Sequence, residues 1–156
     1  MDSGSGLTGG TEPDLNLSLF LSPPTSSDEI GWLANYRVLK VVGRGGMGVV
    51  LQAEDIHLQR IVALKVILPE FAANPVARER FLREARAGAA LKSDHAVTIY
   101  QVGQDNDTPY LAMEFLEGES LEARLARGER LSIQEICRIG KEAAAGLQCN
   151  GSSIGG

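Results

Sequence analysis

Gly43-Arg44-Gly45-Gly46-Met47-Gly48-Val49-Val50 reads as G-x-G-x-x-G-x-V. Glycines at that spacing leave backbone N–H groups bare enough to approach a polyphosphate. Val62-Ala63-Leu64-Lys65 follows, with an ammonium in an otherwise apolar run. A buried lysine without a counter-charge tends to lose its proton, so one kept charged there needs an anion. Two anions suit it: a phosphate under the glycine loop, and Glu84, nineteen residues further on. Loop, lysine and acid in that order outline a nucleotide site. Each also has a plainer reading: an ordinary Gly-rich hairpin, and a strand lysine with its head in solvent. For Glu84 it is one of the i, i+4 pairs Glu79–Arg83 and Arg80–Glu84 on a solvated helix face, worth about 0.3 to 0.5 kcal/mol each.

The elements around these residues decide between two uses of the glycines. In a dinucleotide-binding unit they open a helix whose N-terminus holds the pyrophosphate. Here Val49, Val50 and Leu51 run on as a β-type segment, so the loop joins two antiparallel strands and lies over phosphates as a flap. The strand signals are Tyr36–Val42, Val49–Ala53 and Ile61–Leu68, then Val97–Val102 and Tyr110–Phe115 around the turn formers Asp105, Asn106 and Asp107. Between the third and fourth lies one amphipathic helix, Val76–Leu91, opened by Pro75 and carrying Phe81, Ala85 and Gly88 on one face. A short helical segment, Ser120–Arg127, comes next. Ser132 with Glu135 three residues on is a capping box that starts a helix to about Leu147. The expectation is an α+β domain: five antiparallel strands with one main helix over 36–118, the first one or two helices of an incomplete second lobe over 119–150, and a flexible end at 151–156.

The chain has 156 residues, 44% of them apolar and 22% charged, which suits a single globular domain. Fifteen Lys and Arg against twenty Asp and Glu give −5, without the basic footprint of a nucleic-acid binder. Five of those acids (Asp2, Glu12, Asp14, Asp28, Glu29) lie in residues 1–35, which hold no Lys or Arg, so residues 36–156 balance. Rich in Gly, Ser, Thr and Pro, residues 1–35 read as a disordered acidic tail. Within it Leu15, Leu17, Leu19 and Leu21 alternate with other residues, as a short strand or a docking segment for a partner would. Cys137 and Cys149 form neither a C-x-x-C nor a disulfide framework, and no long apolar run or leader appears. A reducing, cytoplasmic setting without a membrane segment is expected.

From Tyr36 to about Leu147 the chain resembles the small lobe and the start of the large lobe of a bacterial eukaryotic-like (Hanks-type) serine/threonine protein kinase. The ordered set of glycine loop, V-A-L-K lysine and helix glutamate carries the resemblance. It implies ATP as ligand, with Gly43, Gly45 and Gly48 over the phosphates. Lys65 would contact the α- and β-phosphates, and Glu84 would hold Lys65. It implies further that Val42, Val50 and Ala63 roof the adenine. Met113 takes the gatekeeper position, and Glu114 and Leu116 offer a backbone carbonyl and N–H at the hinge; Ser120 sits near the ribose. The intact family transfers the ATP γ-phosphate to protein Ser or Thr with Mg²⁺.

The sequence departs from that family where chemistry is done. Its catalytic Asp, metal-binding Asn and metal-binding Asp lie in segments beyond the last helix. This chain has no Asp after Asp107 and no His after His95. It reads as a kinase truncated before the catalytic loop, without Mg²⁺ ligands and inactive alone, its protein substrate unspecified. A second function class, a non-catalytic docking module, rests on Arg78, Arg80, Arg83 and Arg86 of the main helix. Gly88 departs too: it stands where the family places a larger core residue, at a cost of about 1 kcal/mol against alanine.

Overall fold

The computed structural model describes residues 15–148. Six antiparallel strands form one sheet in the order β1-β2-β3-β4-β6-β5: β1 (Gly31–Leu33), β2 (Tyr36–Arg44), β3 (Gly48–Asp55), β4 (Arg60–Ile67), β5 (Ile99–Asp105) and β6 (Thr108–Glu114). Between β4 and β5 the chain forms α1 (Pro69–Ala72) and α2 (Pro75–Ala89), and after β6 it forms α3 (Leu121–Ala126) and α4 (Ile133–Gln148). Asn74 starts α2 by accepting the N–H groups of Val76 (3.0 Å) and Ala77 (3.3 Å), with Pro75 in the first turn, where its missing N–H costs nothing. The β5–β6 hairpin closes on Asn106 (φ 43°) and Asp107 (φ 65°), a two-residue turn whose positive angles match the strand twist. Ser132 and Glu135 form their reciprocal cap at the head of α4, at 3.0 and 3.2 Å.

Strand alternation divides the sheet into two working faces. On one, Val49, Leu51 and Ala53 of β3 meet Val62, Leu64 and Val66 of β4 in a core completed by Tyr36, Val38, Tyr110 and Ala112. Tyr36 donates its hydroxyl to Gln101 (2.7 Å) and stacks edge-on against Tyr110, and burial pushes its hydroxyl up to a pKa of about 12. The other face presents Val50, Ala63, Lys65 and Ile67; α2 packs there through Phe81 and Ala85 onto Ile67 and Leu111.

Two expectations are corrected. The sheet has six strands rather than five, because Gly31–Leu33 pairs with β2 (Gly31↔Val38, Leu33↔Tyr36). Residues 15–35 are not a disordered tail: they fold onto the first face of the sheet, while residues 1–14 lie outside the described part. Leu17–Leu19 forms a 3-10 turn, not a strand; Phe20 and Leu21 are buried, and Leu15 and Leu17 pack against the same core. Leu15, Leu17 and Leu21 thus dock on their own chain, while Leu19 is exposed. Composition misleads here because polar residues of the segment converge on one oxygen of Glu29, Oε1, while its Oε2 is buried without a partner. Glu29 is buried yet accepts from Thr25 N–H and Oγ1, Ser26 N–H and Trp32 Nε1, and Arg37 of β2 reaches Asp28 at 3.0 Å. What an average scores as Ser, Thr and acid is a clasp around a carboxylate.

Candidate functional site: a phosphate-sized cleft under the glycine loop

The turn between β2 and β3 is drawn tight by Gly45 N–H donating to Gly48 C=O (2.9 Å), and Leu68 N–H ties Met47 C=O (3.1 Å) to the end of β4. The glycines of the loop answer different demands. A Cβ on Gly48 would sit 2.4 Å from the backbone oxygen of Val66, so this position is closed by packing. A Cβ on Gly43, Gly45 or Gly46 would meet nothing within 4 Å. Their bareness serves no contact within the chain, and it leaves room for a ligand's approach.

Beneath the loop is a cavity of about 220 Å³ lined by Gly45, Gly46, Met47, Gly48, Val50, Lys65, Ile67, Phe81 and Glu84. Strand register places Lys65 there: it pairs with Val50 on one side and Leu111 on the other, exposed between the buried Leu64 and Val66, which point to the opposite face. Helix spacing places Glu84, because Phe81 and Ala85 bury the face of α2 that holds it against the sheet. Five predicted residues, Gly45, Gly48, Val50, Lys65 and Glu84, therefore meet in one cleft. Gly46, Met47, Ile67 and Phe81 were not singled out as site residues. Phe81 was legible as a core residue, and its adjacency to Lys65 needs the packed helix.

Lys65 and Glu84 share the cavity without touching. Among the described residues no ion pair within 4.0 Å involves Lys65, and the Glu84 carboxylate accepts from Arg80 Nε at 2.8 Å. The Arg80 hydrogen bond holds the Glu84 carboxyl below its ordinary range against desolvation, with the charges of Arg80, Lys65 and Arg83 adding to it. The other arginines of α2 face away: Arg78, Arg83 and Arg86 line an outer groove with Pro75, Glu79 and Leu82.

The expected adenine end is less enclosed. Met113 is half-buried against the cluster of Ile67, Phe81, Ala85 and Leu111 and pairs with the buried Ala63, and neither lines the cleft under the loop. Val42 (51%) and Leu116 (66%) are largely exposed. Glu114 and Leu116 line a separate depression of about 690 Å³ with His95, Val97, Leu121 and Ile139. Gly43 lies in β2 opposite Val50. Ser120 lines neither cavity; its Oγ accepts the N–H of Ala123 (3.1 Å) as the cap of α3. Gly88 makes up for its missing side chain: Ile99 of β5 reaches into the space, its Cδ1 2.7 Å from where a Cβ would stand.

The chemistry of the donors fits a nucleotide's phosphate end: one exposed ammonium, a bare backbone loop, and a carboxylate able to orient the ammonium. The volume is below the 300 to 1,000 Å³ typical of a whole ligand pocket, so the cleft has room for part of a nucleotide rather than all of it. Among the described residues no three His, Cys, Asp or Glu are gathered as a metal site.

The family model for the protein kinase domain matches residues 36–149, most of the chain. This chain belongs to the protein kinase family. Similar proteins include the serine/threonine-protein kinase PknD of Mycobacterium tuberculosis, 38% identical over 112 residues, which are 72% of this chain and 17% of PknD. PrkC of Bacillus subtilis, also a serine/threonine-protein kinase, is 36% identical over 104 residues, 67% of this chain and 16% of PrkC. The crystal structure of the M. tuberculosis PknI kinase domain superposes with a TM-score of 0.66 at 27% identity, over 75% of this chain and 47% of that one. The chain thus spans about a sixth of these curated relatives and about half of that solved kinase domain. The sheet with α2 is the small lobe of a kinase; α3 and α4 begin the large lobe. The expected kinase fold and bacterial serine/threonine kinase kinship hold.

Proposed function

We propose that this chain is the ATP-binding portion of a serine/threonine protein kinase, with its phosphate end built and its catalytic end lying outside these 156 residues. The observation that carries the reading is the convergence of the Gly45–Gly48 loop, Lys65 and Glu84 on one cleft. Gly43, Gly45 and Gly48 shape the flap over the phosphates; Lys65 binds the α- and β-phosphates, and Glu84 orients Lys65. Val42, Val50 and Ala63 roof the adenine with Met113 behind it. The Glu114 carbonyl and the Leu116 N–H pair with the base edge, and Ser120 lies toward the ribose. Phosphoryl transfer depends on positioning and on metal ions that neutralise developing charge. A chain with no Asp beyond Asp107 supplies neither the base nor the Mg²⁺ ligands from the expected side. An adenine with a roof and hinge but an open floor binds weakly, since little of its apolar surface leaves water.

No helix of the described residues is long and apolar enough to cross a membrane. The reading places this portion in the cytoplasm, where ATP is present, acting in the whole protein on Ser or Thr of protein substrates. Thermal unfolding with and without ATP tests it. The chain is expected to gain a modest stabilisation at millimolar ATP that disappears in Lys65→Met, and to transfer no phosphate to protein. An ATP shift untouched by Lys65→Met refutes the site. Mg²⁺-dependent phosphorylation by this chain, abolished in Lys65→Met, refutes the inactivity.

A further inference from the structure

We propose that the outer groove of α2 is a docking surface for an acidic peptide segment, and that its occupant is this chain's own leading stretch, residues 1–14, with Glu12 and Asp14 set against Arg83 and Arg86. The groove shares no residue with the cleft under the glycine loop, so the inference goes beyond the ATP-binding reading and does not depend on it.

The groove is electropositive and its charges are unmet. Arg78, Arg83 and Arg86 line it with a single acid, Glu79, while Pro75 and Leu82 supply apolar surface. Arg78 donates to Gln104 of β5. Arg83 and Arg86 are exposed and make no hydrogen bond or ion pair within 4.0 Å among the described residues, although Glu79 lies one turn before Arg83. Like charges one turn apart on a helix disfavour each other, so an anion laid across both is favoured.

The chain delivers acid to this place. Residues 1–14 hold Asp2, Glu12 and Asp14 and no Lys or Arg. They enter the described fold at Leu15, which packs against the same core as Phe71 of α1. Leu19 then lines a depression with Pro75 and Arg78, the two residues that this depression shares with the groove. From Leu19 back to Glu12 the chain can span up to about 23 Å, whereas α2 from Arg78 to Arg86 covers about 12 Å. Glu12 and Asp14 flank Pro13, which disfavours a helical conformation at Glu12. An extended chain sets the two acids about 6 to 7 Å apart, close to the roughly 5 to 6 Å between Cβ positions three residues apart on a helix. Each exposed ion pair is weak, but a tethered segment acts at an effective concentration in the millimolar range, an advantage that a free peptide lacks.

The test uses the 156-residue chain with Cys137→Ser and Cys149→Ser, a nitroxide on Thr8→Cys, and ¹⁵N spectra that read the α2 amides. Line broadening is expected to concentrate on Arg78 to Arg86 and to fade in about 0.5 M salt, where exposed charges are screened. Glu12→Lys with Asp14→Lys removes the broadening, and adding Arg83→Glu with Arg86→Glu restores it. Arg83→Gln or Arg86→Gln alone lowers the ratio of seated to unseated segment about two- to fivefold. The assignment is overturned if the unaltered charges give no broadening on α2, which leaves the groove to another partner, or if the broadening survives charge reversal. It is overturned equally if mixing labelled ¹⁴N chains with unlabelled ¹⁵N chains broadens α2 as strongly, since the occupant is then a second copy.

Discussion

Substituting alanine at single glycines of the loop separates what the fold needs from what a ligand needs. At Gly48 a Cβ lands 2.4 Å from the backbone oxygen of Val66 and 3.3 Å from its carbonyl carbon. The obstacle is main chain at the end of the β3–β4 ladder, where Gly48 pairs with Ile67, so no rotamer change relieves it and the strand ends must part. Overpacking of this kind costs about 1 to 3 kcal/mol, and in a domain of this size each kcal/mol lowers the melting temperature by about 4 °C. Gly48→Ala is therefore expected to lose roughly 4 to 12 °C. Gly46 meets nothing within 4 Å and does not have a positive φ, so Gly46→Ala is free of clash and strain. By restricting the unfolded chain it gains about 0.4 to 1 kcal/mol. Differential scanning calorimetry of the two variants beside the unaltered chain measures both. If Gly46→Ala loses as much stability as Gly48→Ala, the division of the loop into a packed glycine and ligand-facing glycines is wrong.

Two further outcomes follow from packing and charge. Hydrogen bonds from Thr25, Trp32 and Ser26 outweigh burial and hold the Glu29 carboxyl below its ordinary 4.5, so its contribution to stability is full above pH 4.5 and is lost as pH falls through the lowered value. Fluorescence of Trp32, the single tryptophan and a donor to Glu29 at 2.7 Å, is expected to report that loosening in acid, and Glu29→Gln to remove the acid dependence; an unchanged acid profile in Glu29→Gln contradicts the clasp. At Gly88, alanine alone gains little because Ile99 Cδ1 must swing aside, whereas Gly88→Ala with Ile99→Val recovers up to about 1 kcal/mol of helix propensity. Strict additivity of the two in a double-mutant cycle by urea unfolding contradicts that packing.

Regular strands were legible because their signal is local. Val49–Ala53 and Ile61–Leu68 alternate or bury apolar residues over several positions, and the Asn106-Asp107 turn announces its hairpin by residue type. The strand Gly31–Leu33 was not, since three residues carry no period and its stability comes from pairing with β2 and from the Glu29 clasp. That clasp is tertiary in origin: Arg37, which anchors Asp28 at 3.0 Å, also binds Glu54 of β3, so the order of residues 15–35 depends on strands that follow them in sequence. Local composition is blind to such support. The same blindness misjudged Gly88, where the volume missing from the helix is returned by Ile99 from β5, eleven residues later.

The site shows the same limit at finer scale. Spacing put Lys65 on the α2 face of β4 and Glu84 on the sheet side of α2, and those two placements suffice to bring them to one cavity. Which cation Glu84 bonds depends on side-chain placement, and periodicity says nothing about it. Arg80 already stood in the sequence as an ordinary i, i+4 partner, the kind that contributes a few tenths of a kcal/mol on a solvated face. A term that small is negligible for folding, yet it is enough to give the Glu84 carboxylate a partner on its own helix. The acid that lines the cleft with Lys65 thus takes its hydrogen bond from its own helix, a pairing visible only once the side chains are placed.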